Sequence, residues 1–220
     1  MPAHGCLVFD LDGTLVDSVP DLTACINRVL GMRGLPPLSA AQITGMVGDG
    51  AGVLLRRVFG VHQMLPDDRA LHDFMADYTA HTTDQSVPYP GVTTMLEQLH
   101  AHGHVMAICT NKPELPARQL LQQLGLARFF TAIGGGDSFA VRKPDPGHLL
   151  GTIAAAGGNP RRAVMIGDHA NDIQAAQGAG VPGVFVRWGY GKAEMAAHAA
   201  ATAERAGDLI GIIANLIRAG

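Results

Sequence analysis

The chain has 220 residues, 47% hydrophobic and 16% charged, which is too apolar for an intrinsically disordered chain and within the roughly 250 residues that one core sustains. Sixteen Lys and Arg against nineteen Asp and Glu give a net charge of −3 with His neutral. No general positive field exists to hold nucleic acid or an anionic membrane, so any anionic ligand must be gripped locally. Cys6, Cys25 and Cys109 are too few and too scattered for a disulfide framework or a CxxC zinc site. With no leader-like start and no apolar run approaching roughly 20 residues, they point to a cytoplasmic chain; the expected state, monomer or small homo-oligomer, is left open by these features.

In chain order, the first apolar run is 6–10, ending on Asp10. Residues 16–87 then show helical stripes and no convincing strand: Leu22, Cys25, Ile26, Val29 and Leu30; a turn capped by Ser39; Val53, Leu54 and Val58; Leu71, Phe74, Met75 and Tyr78. A helix with Pro90 in its first turn carries Val92, Met95, Leu96 and Leu99 on one stripe and ends at Gly103. A second apolar run, 105–110, ends on Thr110; a helix over 114–125 and a strand over 130–133 follow. A third run, 163–168, ends on Asp168, and 183–186 reads as a fifth strand. The Ala-rich stretch 193–206 reads as a surface helix. Continuous apolarity is what parallel strands covered on both faces require, and helices intervene as crossovers need. The expected fold is α/β, with a parallel sheet formed by 1–15 and 88–220. An all-helical cap, 16–87, is inserted after the first strand, hinged near 15–18 and 87–91.

Ligands of an open α/β sheet sit beyond the carboxyl ends of the strands, so Asp10, Thr110 and Asp168 are expected to converge. Asp12 follows Asp10 at the spacing that puts two side chains on one side of an extended chain, and Gly13 with Thr14 supplies the turn that ends the strand. Asp168 and Asp172, four apart around a helix start near Ala170, add two carboxylates. Such crowding calls for a cation, and oxygen-only donors favour Mg²⁺ over zinc. Lys143 and the Thr110 hydroxyl are partners for an anion beside it, best read as a phosphoryl group. One aspartate can then attack phosphorus to form an acyl phosphate, while a second protonates the leaving oxygen and later activates water.

The ordered set Asp10-Leu-Asp12-Gly13-Thr14, Thr110-Asn111-Lys112, Lys143-Pro144 and Gly167-Asp168-His-Ala-Asn-Asp172 resembles the motifs of the haloacid dehalogenase superfamily across the whole core. Within it, the segments 17–22, 48–50, 88–91 and 142–150 are similar to those of bacterial phosphoglycolate phosphatases. The resemblance implies a Rossmann-like core with a helical cap, and a Mg²⁺-dependent phosphatase that converts 2-phosphoglycolate to glycolate through a phosphoaspartyl intermediate. It implies Asp10 as nucleophile and metal ligand, and Asp12 as general acid and base that also lends its backbone carbonyl to the metal. Asp168 would complete the protein ligands with Asp172 in support, and Thr110, Asn111 and Lys143 would hold the phosphoryl oxygens. His169 stands where many relatives have a small hydroxyl residue. For a substrate carboxylate, the glycine-rich loop at 48–52 and Arg56 are the candidate partners.

The same motifs admit other readings: a phosphatase acting on a sugar phosphate or pyrophosphate, a phosphomutase of the β-phosphoglucomutase kind, or a binding protein without turnover. A dehalogenase, which needs neither metal nor proton donor, fits Asp12 and the acidic pair poorly. Gly134-Gly-Gly136 lacks the dinucleotide spacing and reads as a loop. His100, His102 and His104 do not share a helix face and read as solvent-exposed, Arg57 reads as part of a solvated face, and Cys25, Met95 and Met165 as core.

Overall fold

A computed structural model describes residues 4–219, so residues 1–3 and 220 of the expected core lie outside the described residues. The chain runs through β1 (Cys6–Phe9), β2 (Val16–Asp17), α1 (Val19–Gly31), α2 (Ala40–Thr44), α3 (Ala51–Val61), α4 (Ala70–Ala80), β3 (Val87–Pro88), α5 (Val92–Ala101) and β4 (Val105–Cys109). It continues through α6 (Glu114–Gln123), β5 (Ala132–Gly134), α7 (Pro146–Ala155), β6 (Ala163–Gly167), α8 (Ala170–Ala179), β7 (Gly183–Val186), β8 (Ala201–Ala203) and α9 (Asp208–Ala219).

Six strands form one parallel sheet in the order β5-β4-β1-β6-β7-β8. The apolar runs of β1, β4 and β6 are continuous because each of these strands is covered twice. Leu7 and Phe9 of β1, Met106 and Ile108 of β4, and Val164 and Ile166 of β6 face a cluster shared with α5, α6 and α9. The alternate residues Cys6, Val8, Cys109, Ala163 and Met165 face a second cluster with α7 and α8. Each fully buried large side chain here contributes about 1.5–3 kcal/mol. The register sets Phe9 level with Ile108 and Ile166, so Asp10, Thr110 and Asp168 leave the sheet side by side.

Helices α1 to α4 pack around a cluster of their own, from Leu22, Cys25, Ile26, Ile43, Leu54, Phe59, Phe74 and Tyr78 among others. The expected Ser39 cap is a reciprocal capping box with Gln42. The two chain crossings into this helical segment are tied. Buried Asp21 accepts hydrogen bonds from the N–H groups of Gln85 and Ser86 and from the Ser86 hydroxyl.

Four expectations change. The stretch 16–87 begins and ends in a strand pair, β2 against β3, too short to show any period. The strand expected at 130–133 lies at Ala132–Gly134, because a 3₁₀ turn over Ala127–Phe129 occupies the preceding residues. Pro90 precedes α5, whose N-cap is Gly91. The Ala-rich stretch 193–206 is not a helix: after one 3₁₀ turn it adds edge strand β8, where Ala203 is buried opposite Val186. Alanine's helix propensity is a few tenths of a kcal/mol per residue and yields to a free sheet edge.

Candidate active site

Asp10 follows β1 directly, its N–H donating to the Ile166 carbonyl at 2.9 Å. The chain then turns tightly on Gly13, which has φ +85°, and a side chain there would strike the Asp168 carboxylate. Asp168, just after β6, is held by three donors: the Thr14 hydroxyl at 3.0 Å to Oδ1, and the N–H groups of Tyr190 at 2.8 Å and Gly191 at 3.2 Å to Oδ2. Asp172 lies in the first turn of α8, where an acidic group suits the helix dipole. Its Oδ2 accepts the His169 N–H at 3.0 Å, and its Oδ1 lies 2.5 Å from Lys143 Nζ. That ammonium also lies 2.9 Å from Asp10 Oδ1. Asp10, Asp168 and Asp172, all buried, each present a ligand atom within 4.8 Å of the others.

The Asp12 carboxylate points elsewhere. It takes the Ser18 hydroxyl at 2.6 Å, and Lys112 Nζ lies 3.0 and 3.2 Å from its two oxygens. Thr110 Oγ1 accepts the Lys112 N–H at 3.2 Å, leaving its own proton available. The Asn111 amide group donates to the carbonyls of Gly48 at 2.9 Å and Lys143 at 3.0 Å. Asp10, Asp12, Thr110, Asn111 and Lys112 form one wall of a cavity of about 50 Å³, and Leu22, Val47, Leu54, Phe74 and Tyr78 of the helical segment line the other.

Electrostatics make this cluster short of positive charge. Burial pushes the Asp10 carboxyl up to about 6 against the pull of Lys143, with Asp172 adding to the rise. Burial, then Asp10 and Asp172, push Asp168 up to about 8. Burial opposes the Lys143 charge, yet Asp10 and Asp172 carry its pKa well above the ordinary lysine value. Three crowded carboxylates thus have one close ammonium, which contacts Asp10 and Asp172, and Asp10 Oδ1 is buried without a well-directed hydrogen bond. A hard divalent cation fits that donor set, since the available ligands are carboxylate oxygens.

The family model described as haloacid dehalogenase-like hydrolase matches residues 7–186. The chain belongs to that family. It is 44% identical over 193 residues to the phosphoglycolate phosphatase of Agrobacterium fabrum, an alignment covering 86% of this chain and 83% of that one. It is also 44% identical over 188 residues to the phosphoglycolate phosphatase of Mesorhizobium japonicum, covering 84% and 83%. The crystal structure of a predicted phosphoglycolate phosphatase from Haemophilus somnus 129PT matches with a TM-score of 0.88 at 30% identity, over 96% of this chain and 99% of that one.

In this hydrolase Asp10, Asp12, Thr110, Asn111, Lys143, Asp168 and Asp172 come together at one sheet edge. The Asp12 side chain, expected to carry the proton, faces Ser18 and Lys112. Arg56 is not at the site. It is exposed on α3 and borders a separate surface depression with Leu65, Pro66, Asp67 and Leu71, because its helix turns Leu54 and Leu55 inward instead. Arg57 is also exposed and pairs with Asp49. His169 is the N-cap of α8, and its ring packs against Gly48, where a side chain would collide with it. His104 is half-buried, with Nδ1 accepting the Gly5 N–H at 3.1 Å.

Sequence reasoning assigns no role to Lys112, Tyr78, Ser18, Tyr190 or His148, all of which touch site residues or their supports. Lys112 alone had a local signal: it lies two residues past Thr110, the same spacing that links Asp12 to Asp10. Tyr190 Oη takes the Ser18 N–H at 2.7 Å and donates to Asp17 at 2.8 Å across 173 residues of chain, a contact with no sequence signature. Among the described residues no helix is long and apolar enough to cross a membrane.

Proposed function

We propose that this hydrolase is a Mg²⁺-dependent phosphoric monoester hydrolase that converts 2-phosphoglycolate to glycolate and phosphate through a phosphoaspartyl intermediate. Residues 16–87 act as a cap over a catalytic core formed by 1–15 and 88–220. The observation that carries the reading is the buried set of Asp10, Asp168 and Asp172 around Lys143, next to a small cavity that Asp12 and Thr110 also line. The names of the Agrobacterium and Mesorhizobium relatives support the substrate. A cavity of about 50 Å³ suits a two-carbon leaving group better than a hexose, being about three to five times the roughly 10–15 Å³ that one water needs on such a measure.

Asp10, Asp168 and the Asp12 backbone carbonyl would hold Mg²⁺. Asp172, whose two oxygens already serve Lys143 and His169, gives support. When bound, the ion neutralises the crowded carboxylates and draws charge from the phosphoryl oxygens. The remaining work belongs to the chain. The Asp10 carboxylate attacks phosphorus, and the ester P–O bond breaks as Asp12 delivers a proton to the leaving oxygen. Lys143 and the Thr110 hydroxyl stabilise the charge on the non-bridging oxygens. Asp12 then takes a proton from the water that hydrolyses the acyl phosphate. Ser18 and Lys112 fix the Asp12 carboxylate for both transfers. No nucleic acid or membrane enters this scheme, and the chain works in the cytoplasm as a monomer or small homo-oligomer.

The test is turnover of a panel of phosphate esters with Mg²⁺ present. The highest kcat/KM is expected for 2-phosphoglycolate. A preference for a sugar phosphate, a nucleoside monophosphate or pyrophosphate would refute the substrate. Isomerisation of a hexose phosphate dependent on a bisphosphate activator would make the chain a phosphomutase.

A further inference from the structure

The cavity beside Asp10 has apolar walls on the helical side and a single cationic side chain, Lys112, among the described residues that line it. That ammonium is buried, 4.3 Å from the centre of the Tyr78 ring. Burial opposes its charge, but Asp12 and Tyr78 hold its pKa above the ordinary lysine value. An ammonium has three donors and no acceptor. Here Lys112 Nζ lies within hydrogen-bond distance of both Asp12 oxygens and of Tyr78 Oη, so its charge faces the cavity already shared with Asp12. Because Lys112 can only donate, Tyr78 Oη must accept, and the phenolic proton is itself unclaimed. Tyr78 is buried, and burial pushes its phenol up to about 12, so that proton stays in place at neutral pH. A cation shared with Asp12 and one spare neutral donor therefore meet at one side of the cavity.

We propose that Lys112 and Tyr78 together bind the carboxylate of the substrate, making the site selective for phosphorylated acids over neutral phosphate esters. The inference rests on the phosphatase reading above, in which Asp12 reaches the ester oxygen. A carboxylate one methylene beyond that oxygen falls beside the neighbour of Asp12, which is Lys112. The helical segment offers no other cation there: Leu22, Val47, Leu54 and Phe74 are apolar, and Arg56 borders a different depression. The two donors come from different parts of the chain, Lys112 from the loop after β4 and Tyr78 from α4. The pair exists only when the helical segment lies against the sheet edge, so an acid substrate would also favour that arrangement.

The experiment compares kcat/KM for 2-phosphoglycolate with that for ethyl phosphate, which matches it in length but lacks the carboxylate, in the wild type, Lys112→Gln and Tyr78→Phe. Because Lys112 also touches Asp12, both esters should slow in Lys112→Gln, and the ratio between them is the readout. That ratio is expected to fall about 10- to 100-fold in Lys112→Gln, the range for a lost charge-assisted hydrogen bond, and about 2- to 10-fold in Tyr78→Phe, mostly through KM for the acid. Tyr78→Phe keeps the ring and leaves the Lys112–Asp12 pair intact, so it decides the matter alone if Lys112→Gln does not fold. An unchanged ratio in a folded variant of either residue would overturn the carboxylate site while leaving the phosphatase reading in place. A wild type that prefers ethyl phosphate would overturn the carboxylate site and 2-phosphoglycolate as substrate, while failure to hydrolyse either ester would overturn the phosphatase reading.

Discussion

Replacing Lys143 with Met keeps the length of a buried side chain and deletes the one ammonium among three carboxylates. Its Nζ lies 2.9 Å from Asp10 and 2.5 Å from Asp172. At an effective dielectric of about 20, each such attraction amounts to roughly 5–7 kcal/mol. Taking the ammonium out of water offsets several kcal/mol of that, and breaking a buried pair by removing one partner costs about 3–5 kcal/mol net. In a chain of this size each kcal/mol moves Tm by about 2–4 °C, so Lys143→Met is expected to melt roughly 10 °C below wild type when calorimetry is run in chelator. In saturating Mg²⁺ the gap should narrow, because the ion replaces positive charge among Asp10, Asp168 and Asp172. Turnover should nonetheless stay about 10²- to 10³-fold down, since the donor to the phosphoryl oxygens is gone. A variant that melts within about 2 °C of wild type in chelator would refute the claim that Lys143 is the charge holding these carboxylates together.

Asp10→Asn is expected to abolish turnover, because an amide is a poor nucleophile, and chelation should do the same to the wild type; full activity of either in a phosphate-release assay would sink the mechanism. Asp12→Asn should slow hydrolysis of the phosphoaspartyl enzyme more than its formation from an aryl phosphate, whose leaving group needs little protonation, so rapid-quench mass spectrometry should find phosphate on Asp10. Equal kinetics on alkyl and aryl esters in that variant and the wild type would remove Asp12 from proton transfer. Fully buried His148 accepts the Lys143 N–H on Nδ1 at 3.1 Å, and burial, then the Lys143 charge, push its pKa down to about 4. Its neutral form belongs to the folded state, so its stabilisation is complete above the unfolded pKa near 6.5 and is lost as pH falls through about 4, by up to about 3 kcal/mol. The stability difference between wild type and His148→Asn should therefore shrink from pH 7 to pH 4, and a difference that does not change with pH would contradict the assignment.

Much of the site's layout is local and therefore legible. Asp10, Thr110 and Asp168 each end an apolar run, and a parallel sheet brings the ends of such runs to one edge whatever the loops do. Asp12 and Asp172 follow by spacing along a turn and a helix. The Ser39 cap is local in the same sense, as are the stripes of α1, α3 and α5. Arg56 shows where this logic stops. Its charge was visible, but whether a helical residue faces a cavity or solvent depends on how the helix is rotated against its neighbours, and here Leu54 and Leu55 take the inward face. The stretch 193–206 fails for a related reason, since the edge that captures β8 is supplied by β7 and is invisible from the stretch itself.

What the sequence by itself determined is the succession along the chain of five apolar strands and their crossovers and the identity of the groups that meet at the sheet edge, because burial on both faces and residue spacing act over a few positions. What only the tertiary structure decided is which of those groups touch. Lys143 lies between Asp10 and Asp172, 133 and 29 residues away in the chain; Lys112 reaches Asp12 across 100 residues and Tyr78 across 34; Tyr190 braces Asp17 across 173. Each contact is short-ranged and directional, effective only within about 3 Å, so it exists only after the packing of the sheet and of the helical segment has fixed distances that no local pattern encodes.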